Sequence, residues 1–186
     1  LLAVGATWAL LQLWGLGRTP FHTRGEPREA VVVQDLVAHG RWILPRRNAT
    51  QLPRKPPLFY WLGGAAARAH GAVDEWSVRL PSALQSGAAA LLLTGTAASL
   101  LSPLAGAAAG ITLLSSFEWL RAATAARVAM TLTLGLTLVF VGLLLVRHNP
   151  RAPWRLLCYA GAAWATLAKG IPGLAIPALA VALLCL

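Results

Sequence analysis

Residues 128–146 read Val-Ala-Met-Thr-Leu-Thr-Leu-Gly-Leu-Thr-Leu-Val-Phe-Val-Gly-Leu-Leu-Leu-Val. This stretch contains no charged residue and has close to the ~20 mostly apolar residues that a helix needs to cross a bilayer. Arginines stand on both sides of it, at Arg127 and Arg147. The stretch therefore predicts a membrane-spanning helix.

The composition of the whole chain agrees with this prediction. Hydrophobic residues make up 57% of the chain and charged residues only 12%, and the mean hydropathy is positive. These values are typical of integral membrane proteins. The chain begins at Leu1 and stops within an apolar run, so we expect it to be the N-terminal part of a longer polytopic protein.

Five other apolar stretches predict further spans, at 1–17, 80–101, 103–119, 154–168 and 171–186. The segment 18–79 between the first two is a loop rich in Arg and Pro. Within it, the pattern from Glu26 to His39 predicts an amphipathic helix that Gly40 ends. Residues 58–70 are apolar but too short to span, which indicates an interfacial or re-entrant helix. The predicted fold class is all-α, a polytopic transmembrane bundle with interfacial helices in the first outer loop.

Two runs of small residues, at 87–90 and 105–110, predict faces where helices pack closely. The net charge of +10 does not indicate nucleic acid, because the arginines are scattered among membrane-flanking loops and no aromatic-basic nucleic-acid module is present. Membrane lipids are expected partners, and an anionic lipid, phosphate or pyrophosphate is the class of ligand that the basic charge favours.

Counting the crossings assigns the loops to two sides of the membrane. The loop at 147–155 is basic and contains no acid, as expected of a cytoplasmic loop. The loop at 18–79 then lies outside. Six charged residues then lie on one face of the membrane, and we interpret them as an active site at that surface. They are Glu26, Arg28, Lys55, Arg121, Arg127 and Lys169.

Three of these residues are open to two interpretations from the sequence. Glu26 is a candidate general base or electrostatic anchor beside a phosphate-steering Arg28, or an acid that complements a helix dipole. Lys55 stands before two prolines that hold the chain extended, and is a phosphate ligand or a lysine that reaches for the interface. Lys169 is a site cation or a cation at a helix C-terminus.

Five motifs occur in an order that resembles the family 39 membrane glycosyltransferases. That group includes the bacterial aminoarabinose transferase that modifies lipid A and the protein O-mannosyltransferases. The motifs are Gly-Glu-Pro-Arg-Glu-Ala at 25–30, Gly-Arg-Trp-Ile-Leu-Pro at 40–45, Arg-Lys-Pro-Pro-Leu-Phe-Tyr-Trp-Leu at 54–62, Val-Arg-Leu-Pro-Ser-Ala-Leu at 78–84 and Leu-Ala-Lys-Gly at 167–170. They extend over nearly the whole chain.

The resemblance implies a GT-C fold. It also implies an enzyme that transfers a sugar from a polyprenyl-phosphate donor to a lipid, glycan or protein acceptor on the outer face of a bacterial inner membrane. The matching positions make Glu26 the catalytic residue and put Lys55 near the carrier phosphate. The remaining residues expected to bind substrate are Arg28, Tyr60, Arg127 and Lys169.

Two positions depart from the family pattern. Ala129 stands where the motif Arg-Val-Asp-Met has an acid, and Arg54 stands where many relatives have Glu before the lysine. With both acids absent, a divalent metal is disfavoured and we expect no cofactor. The departures leave open a non-catalytic paralogue or assembly subunit of the family. A transporter of an anionic polyprenyl lipid is the other alternative.

Overall fold

The computed structural model of the chain describes residues 1–23, 25–48, 50–150 and 153–184, and these form a helical bundle. Residues 151 and 152, within the loop predicted to be cytoplasmic, lie outside the described residues. The helices are α1 (Leu2–Trp8, continued by a π-helical segment Ala9–Leu13), α2 (Glu26–His39), α3 (Leu58–His70), α4 (Glu75–Leu100), α5 (Pro103–Ser115), α6 (Phe117–Ala123), α7 (Val128–His148), α8 (Trp154–Lys169) and α9 (Ile171–Leu184).

Two of the described helices, α4 and α7, are long and apolar enough to cross a membrane. They pack against each other, and α7 also packs along α8. Three shorter apolar helical stretches accompany them, at Leu2–Leu13, Pro103–Ser115 and Ile171–Leu183. The division of the chain into six spans stays a prediction.

Glycines allow α7 and α8 to approach closely. A Cβ atom at Gly135 would lie 2.7 Å from the backbone nitrogen of Ala165, and one at Gly161 would lie 2.7 Å from the backbone oxygen of Gly135. The small-residue runs predicted from the sequence serve the same purpose, because Gly87 contacts the Trp8 ring and Gly106 lies against the backbone of α4. Their prediction as close-packing faces is confirmed.

The loop between α1 and α4 folds into two helices that share a core with α7 and α8. Val33 and Leu36 of α2 pack on the buried Phe59 side chain and on the glycines of α3. The prediction of a helix from Glu26 to His39 is confirmed, and Gly40 ends it with a φ of 66°, a conformation that glycine adopts without strain. Pro27 lies in its first turn, as expected.

Two predicted boundaries differ from the structure. Helix α4 begins at Glu75 rather than at 80, because Asp74 caps it: the Asp74 carboxylate accepts a hydrogen bond from the backbone N–H of Ser77, and the Ser77 hydroxyl accepts one from the backbone N–H of Asp74. The stretch predicted as one span over 103–119 is divided at Ser116, whose backbone is extended. The hydroxyls of Ser115 and Ser116 donate to carbonyls of the preceding turn, which weakens the continuation of a helix.

Candidate functional site

A buried ion pair lies where α2 meets α4. The Nε of Arg79 donates to Oε1 of Glu26 over 2.8 Å, and the two side chains are 1% and 0% exposed. The same Oε1 accepts a hydrogen bond from the backbone N–H of Ala126, at 3.1 Å. The backbone N–H groups of His22 and Thr23 both donate to Oε2, at 3.2 Å each. Four donors therefore occupy the two oxygens of Glu26.

The guanidinium of Arg79 also holds the segment that follows the first apolar stretch. Its Nη1 donates to the carbonyl oxygens of Leu16 and Thr19, and its Nη2 donates to that of Pro20. Removing one partner of such a buried pair leaves an uncompensated charge, which costs about 3–5 kcal/mol. Glu26 and Arg79 thus join residues 16–23, α2, α4 and the segment before α7.

These contacts determine the acidity of Glu26. Burial opposes ionisation of the carboxyl group, but the hydrogen bonds from Arg79, Ala126 and Thr23 outweigh it and lower the pKa of Glu26 from 4.5 to about 2. A carboxylate with so low a pKa is a weak proton acceptor at neutral pH. Glu26 also lies in the first turn of α2, where an acid complements the helix dipole, and the roles of general base, electrostatic anchor and helix-dipole acid expected from the sequence stay predictions.

Glu29 lies one turn further along α2 and contacts a different set of residues. Its Oε1 accepts a hydrogen bond from Nζ of Lys55 at 2.5 Å, and its Oε2 accepts one from the Tyr60 hydroxyl at 2.7 Å. Glu29 is buried, whereas the Lys55 side chain is 37% exposed. The ammonium group is therefore fixed on its inner side and open on its outer side.

A small cavity opens next to Lys55, between α2, α3 and the loop that joins them. Its volume is about 70 Å³, room for more than one water molecule. Among the described residues, four cationic side chains and one carboxylate line it, which makes +3 in formal charge. The lining residues are Arg28, Glu29, Val32, Arg47, Pro53, Arg54, Lys55 and Tyr60. Arginine and lysine in this arrangement bind phosphate.

The loop that carries Arg47 and Arg54 is tied to α2 by Asp35. One oxygen of this buried carboxylate accepts from Nη1 of Arg41 at 3.1 Å, and the other accepts from the backbone N–H of Arg46 at 2.7 Å. Asp35 therefore holds the start of the loop, immediately before Arg47.

Tyr60 keeps its proton in this environment. Burial of the side chain, together with the neighbouring carboxylate of Glu29, raises the pKa of Tyr60 well above its ordinary value of 10. Its hydroxyl therefore donates to Glu29 at any physiological pH.

The structure brings together three of the predicted site residues, since Arg28, Lys55 and Tyr60 all line the cavity. Arg127 and Lys169 do not line it. Arg127 directly follows Ala126, and its carbonyl accepts a hydrogen bond from Ser82.

Lys169 is exposed at the end of α8. A Cβ atom on the next residue, Gly170, would lie 3.8 Å from Cγ of Pro56. The end of α8 therefore lies beside the segment that carries Lys55.

Four residues of this region were not predicted to act in the site: Glu29, Arg47, Arg54 and Arg79. The spacing of Glu29 indicates burial, because Glu29 lies three residues after Glu26 and four before Val33, on the buried face of α2. The position of Arg79 is also informative, since a cation next to a long apolar stretch is a candidate functional residue.

The acid that the family pattern has at position 129 would lie at the first turn of α7. Ala129 is exposed there. In the described part of the chain, no three His, Cys, Asp or Glu side chains are grouped as metal ligands.

Comparisons with known proteins agree with the resemblance in the sequence. The sequence model of the dolichyl-phosphate-mannose-protein mannosyltransferase family matches residues 54–186. A search of curated protein sequences found no match.

Two solved structures are similar to the chain along nearly its whole length. They are crystal structures of ArnT from Cupriavidus metallidurans, one bound to undecaprenyl phosphate and one in the apo state, each with a TM-score of 0.91 and 26% sequence identity. The matches cover 98% of this chain but 34% and 35% of those chains. The chain thus spans about a third of the length of these structures.

The all-α membrane bundle of GT-C type expected from the sequence is confirmed by this structural match. The chain is therefore part of an integral membrane protein. Because the family model covers well over half of its residues, the chain belongs to the dolichyl-phosphate-mannose-protein mannosyltransferase family.

Proposed function

We propose that this chain holds the donor phosphate in an enzyme that transfers a sugar from a polyprenyl-phosphate carrier to a lipid, glycan or protein acceptor. The observation that carries this proposal is the cavity at Lys55, where four cations face a space of phosphate size. A solved structure similar to the chain is that of an ArnT bound to undecaprenyl phosphate, which favours the same class of donor.

The chemistry of sugar transfer suits these residues. When the bond between sugar and phosphate breaks, the carrier phosphate gains negative charge as it leaves. Cations already in position stabilise that charge as it develops, without reorganising at the moment of reaction. We assign Lys55 and Arg28 to the phosphate oxygens. Arg47 and Arg54 are the other two cations that line the cavity.

We assign Glu26 a positioning role in this enzyme. Its oxygens are occupied by Arg79 and three backbone N–H groups, so it holds α2 in place and with it Arg28 and Glu29. Arg127 and Lys169 lie outside the cavity, and we propose that they attract the anionic carrier towards it, an effect that salt would screen.

We further propose that the site faces the outside of a bacterial inner membrane. The basic loop at 147–155 on the opposite side of the predicted topology supports this orientation by the positive-inside rule.

Binding of undecaprenyl phosphate tests the proposal without knowledge of the sugar or the acceptor. The full chain in detergent is titrated with this lipid, and Lys55→Ala and Arg28→Ala are expected to weaken binding about tenfold or more, since each removes a charged hydrogen bond worth ~1.5–3 kcal/mol.

Arg147→Ala is the control, because Arg147 is an exposed arginine at the end of α7 that does not line the cavity and belongs to the loop predicted for the opposite side of the membrane. Its affinity should equal that of the wild type. Undiminished binding in both cavity variants would contradict the proposal.

A second candidate is a non-catalytic member of the family, and the exposed Ala129 favours it. Such a protein would bind the carrier lipid but not transfer the sugar. The variant Ala129→Asp, which restores the acid, distinguishes an impaired enzyme from a non-catalytic relative. A gain in sugar transfer in cells that carry the variant supports an impaired enzyme. If these cells still transfer no sugar, the non-catalytic relative is supported.

A further inference from the structure

Glu29 is the one carboxylate among the described residues that line the Lys55 cavity. It is buried and accepts hydrogen bonds from both Lys55 and Tyr60. A site that only had to bind an anion tightly would gain from replacing this acid by a neutral group, because a fixed negative charge repels the ligand. The position of Glu29 therefore suggests a purpose other than affinity.

The charge of the carrier phosphate changes during the reaction. Before transfer the phosphate is a diester, esterified to both the lipid and the sugar, and has one negative charge. After transfer it is a monoester, which has a charge of about −1.5 to −2 at pH 7. The repulsion from a neighbouring carboxylate grows in proportion to this charge, so the carboxylate disfavours the product more than the donor.

We propose that Glu29 sets the preference of the cavity for the diester donor over the monoester product, and so promotes release of the spent carrier. This inference rests on the proposed function. Glu29 is not an acid or base in this role, since donors occupy both of its oxygens. Glu29 acts through its negative charge. Its carboxylate accepts a hydrogen bond from the Lys55 ammonium group, which we assign to the carrier phosphate.

A purely structural role for Glu29 makes a different prediction. If the carboxylate did no more than hold Lys55 in place, its loss would weaken the binding of both ligands, and that of the more highly charged monoester at least as much as that of the diester. The direction in which the ratio of the two affinities changes therefore separates the two roles.

The experiment compares undecaprenyl phosphate with its methyl ester, two lipids that differ in one ionisable oxygen. Both are titrated at pH 7.5 into the full chain in detergent, as wild type and as Glu29→Gln. Glutamine keeps an acceptor for Lys55 and a partner for the Tyr60 hydroxyl but removes the charge. We expect the affinity for the monoester to rise about tenfold and that for the methyl ester to rise clearly less.

Glu118→Gln is the control, because Glu118 is a carboxylate that pairs with Arg121 and does not line the cavity. It should leave the ratio of the two affinities unchanged, and Glu29→Asp, which retains the charge, should preserve most of the wild-type ratio. Glu29→Ser is a second uncharged variant for the case in which the glutamine variant does not fold.

A ratio of monoester to diester affinity that stays the same or falls in both uncharged variants would overturn the role of Glu29 and leave the proposed function standing. Failure of the wild type to bind either lipid would overturn the proposed function itself, and the inference with it.

Discussion

Glu26 and Arg79 are 53 residues apart in sequence, yet the Nε of Arg79 lies 2.8 Å from Oε1 of Glu26 in a place that solvent does not reach. The pair fixes the first turn of α2 against α4. The cavity that contains Lys55 is lined by Arg28 and Glu29, the residues two and three positions further along α2. The position of the candidate site therefore depends on an ion pair that is not part of it.

Loss of the arginine should destabilise the protein strongly. Arg79→Ala leaves the Glu26 carboxylate buried without its charged partner, and we expect the free energy of unfolding to fall by about 3–5 kcal/mol. Thermal unfolding in detergent measures the effect as a lower Tm. Arg121→Ala removes an exposed arginine instead and should leave the Tm close to that of the wild type, because exposed ion pairs contribute little to stability. Equal Tm values for the two variants would contradict this assignment.

The Glu26 carboxylate should make stability depend on pH in the acid range. Folding lowers the pKa of Glu26 from 4.5 to about 2, so its contribution is complete above pH 4.5 and is lost as the pH falls from there to about 2. The contribution is on the order of 3 kcal/mol, at ~1.4 kcal/mol for each unit of pKa.

The measurement is the difference in Tm between the wild type and Glu26→Gln. This difference should be constant from pH 6 to 8 and shrink as the pH falls below 4.5. A difference that grows on acidification would show that the sign is wrong.

Tyr60→Phe should cost about 1–2 kcal/mol, because Oε2 of Glu29 loses its donor. Since the folded protein raises the pKa of Tyr60 above 10, the hydroxyl contributes below pH 10 and its contribution declines only above that value. Tm values of the two proteins at pH 7 and pH 9 should therefore differ by the same amount. A difference that disappears by pH 9 would contradict the hydrogen bond to Glu29.

A methyl group at Gly135 should separate α7 from α8. The added Cβ would lie 2.7 Å from the backbone nitrogen of Ala165, and backbone cannot move aside at low cost. We expect Gly135→Ala to destabilise by about 1–3 kcal/mol. Gly95→Ala is the control in α4, where a Cβ meets no atom within 4 Å, and it should be neutral or stabilising by up to ~1 kcal/mol. The same loss of Tm in both variants would argue against close packing at Gly135.

The helices were largely predictable from the sequence, because their signals are local. The 3.6-residue pattern from Glu26 to His39, followed by Gly40, predicts the same first and last residues of α2 that the structure shows. The start of α4 was not predictable in the same way, since Glu75 and Arg79 make its first turn look like a loop. Arg79 is buried only because residues from a distant part of the chain provide acceptors for it.

The candidate site was predictable in part. Arg28, Lys55 and Tyr60 were identified from the motifs, and they line one cavity; their roles stay a proposal. Glu29 was not identified, because its importance comes from contacts 26 and 31 residues away that periodicity does not reveal. The general-base role expected for Glu26 depends on its pKa and position, and these follow from four hydrogen bonds made by tertiary packing; the role stays a prediction.

The most direct test of the central claim is an experimental structure of the full chain bound to undecaprenyl phosphate. We expect phosphate oxygens to lie within hydrogen-bond distance, about 3 Å, of Nζ of Lys55 and of the guanidinium of Arg28. A phosphate bound elsewhere, with Lys55 still held by Glu29 alone, would contradict it.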